Sequence, residues 1–199
     1  METVLEMEKL KAEGKIRAIG VSNWMEPEWE ELGEAARIEV LQPCYSLLWR
    51  SVEAKVLGLC REHEIALIPY APLCQGILAG RFKTAADLPS QAGDPRLQNV
   101  RLKPEQLPGT LKVVRALEEV AASCGKTPAQ TALRWLLDQP GVSAPIVGAS
   151  SPQQLDENLG ALGWKLDPAD WKRLDKASRA LSIGLKAHDS LWNWHPREM

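Results

Sequence analysis

The sequence predicts an α/β domain built on a parallel sheet, and three observations carry that prediction. Short apolar runs alternate with longer stretches of helical periodicity. The runs lack the polar alternation of a half-exposed strand, as expected for strands covered on both faces. Several helical stretches open with a capping residue followed by proline. Apolar types make up 45% and charged types 25% of the 199 residues, enough for a real core in one large or two small domains.

The elements follow in order. METVLEMEKLKAEGK at the start is a charged, helix-like stretch and has none of the features of a signal peptide. Ile16–Val21 (IRAIGV) is the first strand, and Met25, Trp29, Leu32 and Ala36 mark the helix after it. Val40–Tyr45 (VLQPCY) is the second strand, followed by a helical stripe of Val52, Val56, Leu59, Cys60 and His63. Ala66–Tyr70 (ALIPY) is the third. Residues 83–108 then form a long loop rich in proline, glycine and polar side chains, a length usually reserved for function or mobility. Val113, Val114, Leu117, Val120 and Ala121 stripe the next helix. Thr127-Pro128-Ala129-Gln130 and Ser151-Pro152-Gln153-Gln154 both read as capping boxes, one on each side of the fourth strand, Ala144–Val147 (APIV). Asp167-Pro168 opens a last helix, and 182–199 is an irregular tail carrying His188, Trp192, Trp194 and His195. Pro43, Pro69 and Pro145 lie in or beside strands, so those ladders must be short.

Four strands are half of what a closed eight-stranded barrel needs, and a four-stranded parallel sheet keeps two open edges. The sheet is therefore open or part of something larger. Composition narrows the partners. Lysine and arginine number 24 against 26 acidic residues, a net charge of −2, with no bulk attraction to nucleic acid or anionic lipid. No apolar stretch reaches the roughly 20 residues that span a bilayer. Cys44, Cys60, Cys74 and Cys124 are too scattered for zinc or a disulfide framework and read as idle thiols of a reducing compartment. The expectation is a soluble cytoplasmic protein with neither nucleic acid nor membrane as partner.

In parallel α/β folds ligands gather where the strands end. The first strand exits on Ser22-Asn23, the second on Gln42, and the third on Tyr70-Ala71-Pro72-Leu73 running into Gln75–Arg81. The fourth exits on Gly148-Ala149-Ser150-Ser151 at a helix start, whose free N–H groups suit an anion. Gly76 and Gly80 allow a phosphate close to the backbone, and Arg81 brings charge. An aromatic ring beside amide side chains suits a flat heteroaromatic amide. Taken singly these residues are ordinary turn and packing residues; their agreement on one rim points to a dinucleotide.

The strings GKIRAIGVSN, QPCYSLLWR, IPYAPLCQGILAGRF and PIVGASSPQQLDENLGAL, in this order, resemble the carboxyl-terminal half of the aldo-keto reductase family. They look most like its bacterial and potassium-channel β-subunit-like branch. The likeness covers residues 1–181 and implies the last four βα units of a (β/α)8 TIM barrel, a partial barrel plus a carboxyl-terminal helix. It also implies NADP(H) bound extended across the barrel top, with NAD(H) also admitted, and a small carbonyl substrate. By motif, Ser22, Asn23 and Gln42 would hold the nicotinamide carboxamide and Tyr70 would stack on its ring. Pro72, Leu73, Gln75, Gly76, Leu78 and Arg81 would wrap the pyrophosphate. Gly148, Ser150 and Gln154 would lie by the adenosine 2′-phosphate, Glu157 and Asn158 by the adenine, and Arg96 would close over the adenosine end.

Two departures stand out. The cation often found near the 2′-phosphate is replaced by Gly148-Ala149-Ser150, which should weaken discrimination while still favouring NADPH. The family's catalytic aspartate, tyrosine, lysine and histidine are expected to lie upstream of this chain. Lys15 and Arg17 lie at the entry of the first strand, Tyr45 lies at the second strand's end as a rim candidate with no lysine near in sequence, and His63 sits within a helix. Three readings remain open: a partial enzyme that turns over slowly or not at all by itself, a cofactor-binding module that self-associates or meets a partner half-barrel, and a remnant without ligand.

Overall fold

Three prolines decide where the parallel sheet stops. The computed structural model describes residues 2–24, 26–33, 35–182 and 191. In it β1 (Gly20–Ser22), β2 (Val40–Gln42) and β3 (Ala66–Leu67) pair in that order, all parallel. Gly20 lies opposite Val40, Ser22 opposite Gln42, and Leu41 opposite Leu67. The rung after Ile68 would need an N–H from Pro43, which has none. Pairing resumes beyond it, where Tyr70 N–H donates to the Pro43 carbonyl (2.9 Å) and Tyr45 N–H to the Tyr70 carbonyl (3.4 Å).

The fourth run, Ala144–Val147, does not form the expected strand. The chain starts beside β3: Leu67 N–H donates to the Gly141 carbonyl (3.1 Å) and Ser143 N–H to the Leu67 carbonyl (2.8 Å). Both bonds of the following rung would need a proline N–H, from Pro69 or Pro145. A slipped bond from Ile146 N–H to the Pro69 carbonyl (2.7 Å) takes their place. The segment therefore follows β3 without becoming a ladder strand. The first strand is also shorter than its apolar run: residues 16–19 stay outside the ladder, and the Ile19 carbonyl accepts from both Glu39 and Val40 N–H.

Helices fill the connections: α1 (Glu2–Ala12), α2 (Glu26–Leu32), α3 (Val56–Glu62), α4 (Leu107–Ser123), α5 (Pro128–Leu137), α6 (Pro152–Leu159) and α7 (Pro168–Ser182). The stripe from Val52 to His63 is split, because a 3-10 turn at Ser51–Glu53 ends before Lys55, whose φ of −143° is not helical. The capping box at Thr127 forms as read, with Gln130 N–H donating to Thr127 Oγ1 (3.2 Å) and Thr127 N–H to Gln130 Oε1 (3.1 Å). At α6 only half of it forms. Ser151 Oγ accepts from Gln154 N–H (3.3 Å), but Gln154 Oε1 reaches past Ser151 to the Ser150 N–H (2.9 Å). The long loop is ordered into three 3-10 turns, Ala85–Asp87, Pro95–Gln98 and Val100–Leu102, before α4 begins at Leu107.

The main core lies between the sheet and α4, α5 and α7, around Tyr45, Leu41, Trp49, Leu67, Ile77, Leu117 and Trp135, each 1% exposed or less. A smaller cluster of Val4, Ile19, Leu32 and Ile38 seats α1 and α2 against β1. Two buried arginines tie the layers together. Arg101 donates from Nε to the Leu48 carbonyl (2.8 Å) and from its Nη atoms to Gln106 and to the Leu181 carbonyl. Arg50 holds Glu53, Asp175 and Ser178 at once. Leu191, fully buried, accepts a bond from Val100 N–H (3.0 Å). The tail residues His188, Trp192, Trp194 and His195, and Met25, lie outside the described residues.

Candidate functional site

The register of β1 on β2 places Ser22 and Asn23 beside Gln42, and the break at Pro43 turns the chain toward Tyr70. Ser22 Oγ donates to the Gln42 carbonyl (3.1 Å), and so does Asn23 N–H (3.2 Å). Asn23 sits at φ 58°, a left-handed position that asparagine tolerates better than most side chains. Its Oδ1 accepts from the Tyr70 hydroxyl (3.0 Å). Burial and the neighbouring Cys44 push that hydroxyl well above its ordinary pKa, so it stays a neutral donor. The four residues expected at the strand exits thus meet at one end of the sheet.

The segment after β3 is the strained part of the molecule. Ala71, Cys74 and Gln75 all have left-handed backbones (φ 52°, 48° and 56°), followed by Gly76 at 89° and Gly80 at 75°. Each such non-glycine residue costs about 1–2 kcal/mol. Buried anchors hold the conformation: Cys74, Ile77 and Leu78 are fully enclosed, and Asn99 Nδ2–H donates to Gln75 Oε1 (2.8 Å). Burial raises the Cys74 thiol to about 11, so it is an inert part of this anchor. A Cβ at Gly76 would lie 2.8 Å from Arg81 Cδ, so a side chain there would displace the arginine.

This segment forms one wall of a cavity of about 490 Å³ through Ala71, Pro72, Leu73, Gln75, Gly76 and Arg81. The other wall is Ile146, Val147 and Gly148 with Gln154, Glu157 and Asn158 of α6. Asn158 Nδ2–H donates to the Gly148 carbonyl (3.4 Å), and Ser150 Oγ donates to Gln154 Oε1 (3.0 Å). A second cavity of about 620 Å³ continues past Gln75 and Arg81 to Gln91–Arg96. Ser22, Asn23, Gln42, Tyr70 and Ser150 line neither cavity, while most of the other expected site residues share one continuous groove. Leu78 does not: its side chain is fully buried in the core, leaving only its backbone for a ligand.

Asn99 and Asp94 were not anticipated. Asn99 is fully buried behind Gln75, and nothing local marks it. Asp94 offered a signal in Asp-Pro-Arg, a cap residue followed by proline. It accepts from Arg96 N–H (2.9 Å) and from Arg96 Nε (2.9 Å). The side-chain bond from Arg96 holds its carboxyl down at about 2.

Among the described residues, the two side chains considered as acids lie away from the groove. Tyr45, weighed as a rim residue, is fully buried and donates its hydroxyl to Glu53 Oε1 (2.7 Å). His63 lies by α2 and α3, in a cleft with Trp29 and Arg37. Among the described residues there is no cluster of three His, Cys, Asp or Glu able to hold a metal. No described helix is long and apolar enough to cross a membrane.

Comparison with known proteins gives a consistent result. The model of the Aldo/keto reductase family matches residues 1–179. The chain is 35% identical over 183 residues to the NADH-specific methylglyoxal reductase of Escherichia coli (strain K12), covering 90% of this chain and 54% of that protein. It is 33% identical over 174 residues to the Schizosaccharomyces pombe aldo-keto reductase yakc (NADP(+)), covering 86% and 51%. The glycerol dehydrogenase AKR11B4 of Gluconobacter oxydans superposes with a TM-score of 0.80 at 30% identity, over 88% of this chain and 53% of that one. The chain spans about half the length of the curated relatives it matches.

Proposed function

This chain belongs to the aldo/keto reductase family, and from that premise we propose that it forms the nicotinamide-dinucleotide-binding part of a carbonyl oxidoreductase. In this reading residues 1–181 are the last four βα units and closing helix of a (β/α)8 barrel, with 182–199 as a tail. Residence is cytoplasmic, where the four thiols stay reduced. The observation that carries the reading is the groove at the strand exits, where Ala71–Arg81 faces Ile146–Asn158.

The groove fits a dinucleotide. Gly76, having no side chain, permits close approach of a pyrophosphate, and Arg81 lies against that same glycine as a cation. Bound there, NADP(H) or NAD(H) would supply the hydride that reduces an aldehyde or ketone to an alcohol. The chain's own residues bind and orient. Asn23 keeps Nδ2 to donate while Oδ1 is held by Tyr70, and Gln42 and Ser22 sit beside it as the carboxamide's further partners. Tyr70 offers its ring to one face of the nicotinamide. Gln75, Leu73, Pro72 and the Leu78 backbone line the pyrophosphate path, with Gly148, Ser150, Gln154, Glu157, Asn158 and Arg96 toward the adenosine. Similarity to a methylglyoxal reductase and a glycerol dehydrogenase supports a small carbonyl or alcohol as substrate.

The proton donor is proposed to lie outside these 199 residues. Both tyrosines are committed, Tyr45 to Glu53 and Tyr70 to Asn23. The expected result is that the 199-residue chain quenches or shifts its tryptophan fluorescence with NADH or NADPH but oxidises neither measurably in the presence of methylglyoxal. No fluorescence change at millimolar dinucleotide would remove the binding reading; robust turnover by the chain alone would remove the claim about the missing donor.

The reading also includes a partner surface. Leu155, Leu159 and Leu162, at and just beyond α6, are 51%, 51% and 55% exposed, and Leu5 and Leu10 on α1 and Ile146 are exposed as well. These lie on the elements flanking the two ends of the sheet, where β1 and the 142–147 segment have no further strand beside them among the described residues. Apolar patches next to open edges call for cover. A complementary half-barrel is proposed to provide it, and without one the chain should self-associate. Light scattering should show species above 22.0 kDa, dispersed by Leu155→Glu with Leu159→Glu; a well-behaved wild-type monomer would contradict this.

A further inference from the structure

Charge in the groove is scarce, and what is present is largely committed. The described residues lining the two cavities include two cations, Arg81 and Arg96, and two acids, Asp94 and Glu157. Arg96 is not available. Asp94 takes its backbone N–H, its Nε (2.9 Å to Oδ1 and 3.1 Å to Oδ2) and its Nη2. The guanidinium also lies 5.9 Å from the centroid of the buried Phe82 ring. The pair is partly enclosed, with side chains 34% and 12% exposed, so it is less screened than an open surface pair. Among the described residues Arg81 has no ion-pair partner and is the uncommitted cation of the two cavities, with Glu157 on the facing wall.

The helix start on that wall is no better supplied with donors. Pro152 has no N–H, Gln154 N–H is taken by Ser151 Oγ (3.3 Å), and Ser150 N–H is taken by Gln154 Oε1 (2.9 Å). The anion site that an uncapped helix would offer is thus partly filled from within. A pyrophosphate can use Arg81, which lies against Gly76. Beyond Arg81, a third phosphate along the groove meets, among the described lining residues, carboxylates and no uncommitted cation.

We propose that the groove selects the dinucleotide that lacks a 2′-phosphate, NAD(H), and that Asp94 sets this selectivity by withdrawing Arg96. The proposal rests on the dinucleotide reading above and narrows it. Asp94 acts through Arg96 and is a positioning residue. The missing charge-assisted bonds to a phosphate correspond to about 10- to 100-fold in affinity.

Isothermal titration calorimetry of the chain with NADH and with NADPH tests this, repeated on Asp94→Asn. Asparagine keeps an oxygen to cap the Arg96 N–H but removes the charge that holds the guanidinium. The expected result is at least tenfold tighter binding of NADH by the wild type, with the ratio falling at least threefold in Asp94→Asn. Ser150→Arg, which places a new cation on the helix wall, should move the ratio the same way. NADPH binding as tightly as NADH or tighter would overturn the selectivity. An unchanged ratio in Asp94→Asn would overturn the role of Asp94. Binding of neither nucleotide would instead overturn the dinucleotide site itself, and the proposal with it.

Discussion

Gly76→Val should weaken dinucleotide binding at least tenfold while the chain stays folded. Gly76 has φ 89°, which costs a side-chain-bearing residue about 1–2 kcal/mol, and β-branching makes it worse. The new Cβ would stand 2.8 Å from Arg81 Cδ. A flexible arginine can swing away from such a clash, so the fold survives. Swinging away removes the Arg81 cation from the pyrophosphate path, and the valine side chain takes up space in that path as well. Both losses fall on the ligand, and together they exceed about 1.4 kcal/mol, a factor of ten. Gly125→Val is the control: Gly125 also has a positive φ, 62°, but nothing lies within 4 Å of its Cβ position and it lies outside both groove cavities. It should lose comparable stability in a thermal melt and bind as the wild type does in calorimetry. Equal loss of affinity in both variants would show that the effect is stability alone.

Arg50→Ala should cost the fold more than any surface change, about 3 kcal/mol. The arginine side chain is 2% exposed and lies 5.1 Å from the Trp135 ring centroid. It donates to both oxygens of Glu53 (2.7 Å each), to Asp175 Oδ1 (2.6 Å) and to Ser178 Oγ (2.6 Å). Truncation strands two carboxylates in a poorly hydrated place. Arg179 partly compensates, because it binds Asp175 from the solvent side. The pH dependence follows in sign. Burial alone would raise the Asp175 pKa, but Arg50 and Arg179 outweigh it and hold the carboxyl below 3.8. A depressed native pKa stabilises the fold above the unfolded value and loses that contribution as pH falls through the native one. Without Arg50 the burial effect gains ground and protonation brings relief. The gap between wild type and variant in urea melts should therefore be widest near pH 7 and narrow below about pH 4. A gap that stays constant with pH would assign the loss to packing against Trp135.

What could be read from the sequence was what depends on near neighbours. The Thr127 capping box formed because its partners are three residues apart. The prolines were visible as ladder breakers, yet the sequence could not show that two of them share one rung and so prevent a strand at 144–147. The strand-exit residues assembled because parallel register alone brings Asn23, Gln42 and Tyr70 together. The burial of the Leu78 side chain could not be read, because the backbone at Cys74–Gly76 turns left-handed, a conformation that neither cysteine nor glutamine announces. Tyr45 lies past the strand break at Pro43, and its burial follows from Glu53 and Trp135, which only the folded core supplies. Asn99 reaches Gln75 across 24 residues of chain, and no local pattern encodes such a contact.

Hydrogen–deuterium exchange of the chain with and without saturating NADH tests the central claim most directly, because it reports where a ligand sits. Slowed exchange concentrated in residues 71–81 and 146–158, with a smaller effect at 22–23 and 42, is the expected pattern. Protection confined to the α2–α3 cleft near His63, or no change anywhere, would contradict a dinucleotide groove at the strand exits.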